Sequence, residues 1–354
     1  MGTVETMQIT HVNFAKGFRG GERQTQLLIE ELAQHGYQQK LLVRKGSKLI
    51  ARCEQIKDLT IVAINKPYVL SLKHVKESTL LHAHETKALQ FVYAAHLLYR
   101  LPYVVTRRVD NTIKNNWLNQ HMYTSAAVTV ALSRAIKEEI LKVAPQANIT
   151  IIPSAFTDTP LDLETSKHIK ARFTKKFLVG HVGALDDRHK GQSFIIEAAR
   201  LLEKSHPDIH FILVGGGRDE VMLKQQAEGL SNITFEGFVN NVNDYINTFD
   251  LFIFPSRNEG LGSILFDVMR LNVPIIASNV GGIPDIITDG ETGVLIPPLQ
   301  ASLLAEKVLA LHQDTSLCQI LAQNASHEVI NYSAPKMASR YEALYQTING
   351  SLFS

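Results

Sequence analysis

Residues 254–267 read Phe254-Pro255-Ser256-Arg257-Asn258-Glu259-Gly260-Leu261-Gly262-Ser263-Ile264-Leu265-Phe266-Asp267. The apolar run Leu251–Phe254 predicts a strand. A polar loop with two glycines follows, and an apolar helix is predicted from Ser263. Strand, glycine loop and helix make up the repeating unit of parallel α/β sheets. The amides of Leu261 to Ile264 stand in the first helical turn, where they have no intrahelical acceptor and suit a diphosphate. Glu259 in the loop and Asp267 one turn inside the helix are placed to reach a ligand stationed there. Capping by Ser263 would explain a helix start, but it does not require Glu259 and two glycines directly before it.

The same alternation runs outward from this stretch. Before it, strands are predicted at Phe177–Val182, His210–Val214 and Ile233–Phe235, with helices at Gln192–Lys204 and Val221–Ala227. After it come strands at Pro274–Ala277 and Gly293–Ile296 and helices at Leu303–Leu311 and Ala334–Thr347. The front half repeats the pattern, with strands at Met7–Asn13, Gln39–Val43, Leu59–Ala63, Leu80–His84, Tyr103–Thr106, Ala127–Ala131 and Ile149–Ile152. Its helices are predicted at Glu22–His35, Ala88–Leu98, Trp117–Tyr123 and Arg134–Val143, and the polar stretch Thr157–Thr174 reads as a linker. The expected fold is α/β, with two Rossmann-like doubly wound domains facing a central cleft and ligands at the carboxyl ends of the strands. The expected boundaries are 1–165, 166–335 and a terminal helix, 336–354, packing back toward the first domain.

Composition agrees with this. A chain of 354 residues, 45% hydrophobic and 20% charged, is long enough for two cores and too apolar for a disordered protein. Its 2 cysteines, Cys53 and Cys318, exclude a disulfide scaffold, have no metal-ligand spacing and fit a reducing compartment. No run of 18 apolar residues is present, so any membrane contact is expected to be peripheral. Met1-Gly2-Thr3-Val4-Glu5-Thr6 matches the N-myristoylation pattern, but a plain leader is the expected reading. The net charge of +2 hides a split: residues 1–150 carry 20 Lys and Arg against 11 Asp and Glu, while the remainder carries 16 against 23. A front half at +9 and a back half at −7 point to an anionic partner on one side only.

Other turns carry candidate chemistry. Phe18-Arg19-Gly20-Gly21-Glu22 joins the first strand to its helix and could bring amides to an anion or simply turn the chain. Val214-Gly215-Gly216-Gly217 lacks the G-x-G-x-x-G spacing of a nicotinamide site and reads as a tight turn. Gly183-Ala184-Leu185-Asp186-Asp187-Arg188-His189-Lys190-Gly191 sets Arg188 and Lys190 just after a strand. Charge-assisted bonds contribute about 1.5–3 kcal/mol each against about 0.3–1 for an exposed helix dipole, so these side chains would dominate phosphate binding. The pair Arg107-Arg108 follows another strand and could clamp a phosphate or carboxylate.

Together these residues resemble the retaining glycosyltransferases of family 4, which have the GT-B fold. The likeness runs from about Met7 to Thr347. Besides the Glu259-to-Asp267 stretch, which resembles the family's Glu-x7-Glu signature, it rests on the Gly20-Gly21 turn and on His82-Ala83-His84-Glu85. It rests further on Leu132-Ser133, Ile152-Pro153-Ser154, Phe235-Glu236-Gly237-Phe238, Gly281-Gly282-Ile283-Pro284-Asp285 and Asp289-Gly290-Glu291-Thr292-Gly293. The resemblance implies that Arg188 and Lys190 hold the diphosphate, that Glu259 and the Gly260, Leu261 and Gly262 amides contact the donor sugar, and that Asp267 binds ribose. It implies that the backbone at Phe238 and Val239 meets the base, that Gly20 and Gly21 face the donor phosphates, and that His84 lies near the reacting carbon. Lys16, Arg19, Arg107 and Arg108 are the expected acceptor contacts, and Arg107-Arg108 resembles the subset that builds bacterial surface polysaccharide or lipopolysaccharide. Three departures stand out: Asp267 where Glu is usual, Ala184 where Arg is frequent, and Ser154 where a hinge Asn is usual.

The expected activity is transfer of a sugar from a nucleotide sugar, a UDP-sugar first, to a glycan or anionic lipid-linked acceptor. No metal and no cofactor beyond the nucleotide-sugar co-substrate are expected, nor a nucleic-acid partner. The expected place is the cytoplasm, at the inner face of an anionic membrane. A nucleotide-sugar epimerase and a non-catalytic nucleotide-sugar- or glycan-binding protein are the alternatives, with a dinucleotide oxidoreductase disfavoured by the imperfect glycine fingerprint.

Overall fold

The computed structural model describes residues 7–157 and 160–352. The six-residue myristoylation match lies outside them. The chain divides into two compact units, Met1–Ala155 with Ser333–Ser354, and Phe156–Tyr332.

The first unit is a seven-stranded parallel sheet. Its strands are β1 (Gln8–Asn13), β2 (Gln38–Arg44), β3 (Leu59–Ile64), β4 (Leu80–Ala83), β5 (Tyr103–Arg107), β6 (Val128–Ala131) and β7 (Ile149–Ile151), in the spatial order β3-β2-β1-β4-β5-β6-β7. The winding reverses between β1 and β4, which pair in parallel with His11 opposite His82. Strands covered on both faces must be apolar almost throughout, and all four residues of β4 and of β6 are buried. The helix Gly20–Gln34 buries Leu28, Ile29 and Leu32 against this sheet. The terminal helix Ala334–Leu352 adds Met337, Tyr341 and Tyr345 to the same core. Each such large apolar side chain contributes about 1.5–3 kcal/mol on burial.

The second unit repeats the design with six parallel strands. They are β8 (Phe177–Val182), β9 (Ile209–Val214), β10 (Ile233–Gly237), β11 (Leu251–Phe254), β12 (Ile275–Ser278) and β13 (Val294–Ile296), ordered β10-β9-β8-β11-β12-β13. Here the reversal falls between β8 and β11. Its core centres on Phe211, Leu213 and Ile253 of the strands and Ile195, Leu304 and Val308 of the helices. The ends of this unit are tied by the Phe156 N–H donating to the Tyr332 carbonyl, 2.9 Å.

One expectation is corrected, and one helix lies outside those expected. Residues 157–174 are not simply a linker: Leu163–Ala171 is a helix, started by Asp162, whose carboxylate accepts from the Glu164 and Thr165 amides. Ser166 and Ile169 bury its inner face, and Lys170 reaches the Asp250 carboxylate at 2.6 Å, which binds it to the second unit. The helix Thr315–Glu328 has no counterpart among the expected elements, because the face it buries is made largely of small residues (Cys318, Leu321, Ala322 and Ala325).

Candidate functional site

Strand reversals leave a crevice at the carboxyl edge of a doubly wound sheet, where consecutive loops diverge. In the second unit the loops after β8 and β11 meet at that point. Gly183–Gly191 follows β8 and contains the short helix Asp187–Lys190; Pro255–Gly262 follows β11. They are stitched together by Arg257, whose Nη2 donates to Asp187 Oδ2 at 2.9 Å and Ser193 Oγ at 3.1 Å. The Arg257 amide donates to the His189 carbonyl, 2.9 Å. From below, Gln192 Nε2 donates to the Ala184 carbonyl at 2.8 Å.

This stitching brings Lys190 and Glu259 into an ion pair. Both side chains are largely covered, and Lys190 Nζ also stands 5.0 Å from the centre of the Phe254 ring. A lysine ammonium has three donors, so it can hold Glu259 and an arriving phosphate oxygen together. Arg188, on the same short helix, is exposed, and no carboxylate among the described residues holds its guanidinium. Glu259 is fixed through its backbone as well: its carbonyl accepts from the Gly282 amide at 2.9 Å. Gly281 has φ +55, and a Cβ there would fall 1.9 Å from that carbonyl oxygen, so only glycine fits.

Ser263 does not cap the helix Ile264–Arg270 with its side chain. The turn begins instead with the Leu265 and Phe266 amides donating to the Gly262 and Ser263 carbonyls, at 2.9 and 3.2 Å. The amides of Leu261 to Ile264 stand ahead of these bonds, where the sequence placed them. Asp267 is largely buried, and its Oδ1 has no hydrogen-bond partner among the described residues. Burial raises its carboxyl from the ordinary 3.8 to about 6, against an opposing pull from Arg270. A covered carboxylate oxygen without a donor has an unmet hydrogen bond that a ligand hydroxyl could supply.

Beside the same loops lies an apolar cavity of about 300 Å³, lined by Gly183, Ala184, Gly215, Gly216, Phe238 and Val239 among others. Phe238 is 79% exposed at its rim. The glycine turn after β9 is more than a plain turn. Gly215 has φ +137, and a Cβ would fall 2.0 Å from the Gly183 carbonyl oxygen, so side-chain-free backbone lets the two loops touch.

The first unit has a cavity of about 360 Å³ at its own strand reversal. It is lined by Arg19, Gly21 and Glu22 after β1, by His84, Glu85 and Thr86 after β4, and by Arg107, Arg108 and Val109 after β5. Gly20 and Gly21 open the helix Gly20–Gln34, and a Cβ at Gly21 would lie 3.4 Å from the Arg108 Cδ. Arg107 is engaged locally, donating to the Asn111 carbonyl and, at 3.4 Å, to the Tyr123 hydroxyl. Arg108 Nε is buried without a partner among the described residues, and burial lowers the guanidinium's pKa. Lys16 is exposed and outside this cavity. Glu85 serves the fold, capping the helix Thr86–Tyr99 through the Lys87 and Ala88 amides at 2.7 and 2.8 Å.

Behind His84 is a buried network that the sequence did not reveal. His11 joins His84 at 3.0 Å and Gln39 at 3.0 Å, while His82 joins the Tyr345 hydroxyl at 2.6 Å and Thr106 Oγ1 at 2.8 Å. One nitrogen from each of the three histidines lies within 4.8 Å of the others, a spacing that a metal ion could bridge. It would have to displace hydrogen bonds already made by His11 and His82. Burial first, then neighbouring histidines and Arg108, hold His82 and His84 well below the ordinary histidine range.

Of the four catalytic candidates, Lys190 and Glu259 are thus in contact and Arg188 shares Lys190's short helix, with Asp267, Gly260, Leu261, Gly262, Phe238 and Val239 on loops or helix starts of the same unit. His84, Arg19, Arg107 and Arg108 converge in the other. Arg257 and Gly281, which hold Glu259's loop, are not among the expected site residues. Arg257 lies inside the stretch 254–267 and is legible there as a loop cation.

Comparison with known proteins gives two family models in tandem. "Glycosyltransferase Family 4" matches residues 18–157 and "Glycosyl transferases group 1" matches residues 162–328. The alpha-D-kanosaminyltransferase of Streptomyces kanamyceticus is 26% identical over 73% of this chain and 69% of its own length. The capsular polysaccharide biosynthesis glycosyltransferase CapM of Staphylococcus aureus is 23% identical over 62% of this chain and 61% of its own. Among solved structures, Anabaena HepE in complex with UDP superposes with a TM-score of 0.83 at 19% identity, covering 96% of this chain and 100% of that one. A glycosyltransferase from Rickettsia africae gives 0.83 at 20% identity, with 97% and 99% covered.

Proposed function

The chain belongs to the family 4 glycosyltransferases of GT-B fold, and on that basis we propose that it is a retaining, metal-independent enzyme that transfers a sugar from a UDP-sugar to an anionic glycan or lipid-linked acceptor. The observation that carries the reading is the Lys190–Glu259 pair at the strand reversal of the second unit, with Asp267, whose Oδ1 has no partner among the described residues, on the helix that follows Glu259's loop. In this reading the diphosphate takes Lys190 and Arg188, the sugar takes Glu259 and the Gly260–Gly262 backbone, the ribose takes Asp267, and the base enters the cavity at Phe238 and Val239. The bond between anomeric carbon and diphosphate oxygen breaks with its electron pair left on phosphate, the acceptor hydroxyl oxygen bonds to the anomeric carbon on the face the diphosphate leaves, its proton passes to the departing phosphate oxygen, and the two cations stabilise the charge developing there. The HepE structures with UDP, with UDP and glucose, and with UDP-glucose support uracil as the base.

The acceptor falls to the first unit, whose cavity collects Arg19, Arg107 and Arg108 and whose sequence is basic. Lys16, outside the cavity, would meet only an acceptor that extends beyond it. Assembly of a bacterial surface polysaccharide or lipopolysaccharide suits an anionic, lipid-linked acceptor, and CapM supports that class. No helix among the described residues is long and apolar enough to cross a membrane, so such an acceptor would be met peripherally, by charge, at the cytoplasmic face. The test is turnover of UDP-sugars with lipid-linked acceptors, with the product's anomeric configuration read by NMR. Turnover with retained configuration, slowed in Glu259→Ala, is expected. Isomerised donor in the absence of acceptor, or an inverted product, would overturn the proposal.

A further inference from the structure

The polarity of the histidine network can be read from its ends. Gln39 Nε2 lies 2.9 Å from the Ile29 carbonyl, which can only accept, so Nε2 donates there and Gln39 turns its Oε1 to His11. An amide oxygen accepts only, so the His11 nitrogen facing it, Nε2, carries a hydrogen. His11 is fully buried, and burial lowers it to about 4, so it is neutral and has one N–H. Its Nδ1 is then a bare lone pair, and the nitrogen opposite, His84 Nε2 at 3.0 Å, must donate to it. His84 is neutral for the same reason, which leaves its Nδ1 without a hydrogen. That atom is buried with no hydrogen-bond partner among the described residues, and it is the one ring nitrogen left unused on a residue that lines the cavity.

We infer that Gln39 and His11 are positioning residues that hold His84 in the Nε2–H tautomer, so that its Nδ1 meets the cavity as a lone-pair acceptor for a substrate hydroxyl. Neither residue touches the cavity. The sheet register explains how they reach His84: His11 pairs with His82 on β4, two residues before His84, and with Leu41 on β2, two residues after Gln39. Side chains two apart on a strand share a face, which lines up Gln39, His11 and His84 across three neighbouring strands. The opposite tautomer would offer an N–H to a cavity that already holds the donors of Arg19 and Arg108, while the carboxylates in its lining, Glu22 and Glu85, accept from the Arg19, Lys87 and Ala88 amides. A bare nitrogen adds an acceptor for a hydroxyl donor there. This inference rests on the reading of that cavity as part of the transferase's substrate site.

The test is a two-bond proton–nitrogen correlation spectrum of the whole chain labelled with nitrogen-15 in its histidine rings, with His84 assigned by its loss in His84→Gln. The expected pattern for His84 at pH 7 is a protonated Nε2 and a bare Nδ1. Gln39→Leu removes the acceptor that orients His11 and should shift His84 toward the Nδ1–H form, whereas Gln39→Glu keeps an acceptor and should preserve the original pattern. Transfer should fall about tenfold or more in Gln39→Leu, because one buried hydrogen bond to substrate is replaced by two opposed donors, and recover in Gln39→Glu. A wild-type His84 protonated at Nδ1, or a pattern unmoved by Gln39→Leu, overturns the relay. The wild-type spectrum decides even if Gln39→Leu does not fold. An altered tautomer with undiminished transfer leaves the relay standing and overturns the assignment of His84 to substrate.

Discussion

Lys190 and Glu259, 69 residues apart in the chain, are joined as an ion pair where the second sheet reverses its winding. Neither local sequence contains the other, and the contact exists because β8 and β11 are neighbours whose loops leave the same edge. A covered pair costs desolvation that its attraction only partly repays, so its position at a ligand-binding edge favours a role beyond stability.

Removing either partner should reveal that role. Lys190→Ala and Glu259→Ala are each expected to raise the barrier to transfer by about 2–4 kcal/mol, the range for one lost contact to developing charge. Steady-state kinetics of the two variants and the double variant check this. The double variant should lose less than the sum, because the residues touch.

Asp267 predicts a pH dependence. Its folded pKa of about 6 lies above the ordinary 3.8, so the native state keeps the proton that the unfolded chain has released. Stability attributable to this group therefore falls as pH rises from about 4 to about 6 and is flat above. Asp267→Asn should match wild type near pH 4 and exceed it at pH 7 by on the order of 2 kcal/mol in denaturant unfolding. Affinity for UDP should run the other way: wild type weakens as pH drops below 6, while Asp267→Asn is weaker at pH 7 and insensitive to pH.

Gly281→Ala tests the backbone support of Glu259. The added methyl meets the Glu259 carbonyl, so the loop must move, at an expected cost of about 2–4 kcal/mol in unfolding free energy. Transfer should fall with it, although the substitution is at neither Lys190 nor Glu259.

Arg108→Ala separates the two units functionally. It should raise the acceptor KM by roughly 10- to 100-fold, the loss of one charge-assisted contact, and leave the UDP dissociation constant within about twofold. Kinetics with varied acceptor and calorimetry with UDP read the two effects independently.

Much of this is legible before any coordinates. Doubly covered parallel strands are near-continuous apolar runs, so β8, β9 and β11 announce themselves within a residue of their ends. Leu163–Ala171 does not, because a polar, nine-residue helix burying only Ser166 and Ile169 has almost no apolar period to detect. At the site, Lys190 and Glu259 can be named from their loops, but their contact requires the strand order. Gln39 carries no signal: a buried glutamine at the start of a strand gains its meaning from register with His11 and the Ile29 carbonyl.

Whether Lys190's edge of the second sheet receives the donor's diphosphate is read from calorimetric titration of UDP into wild type and Lys190→Ala side by side. Saturable one-to-one binding to wild type, weakened at least tenfold in the variant, is expected. Equal affinity for the two proteins would place the diphosphate elsewhere and overturn the assignment.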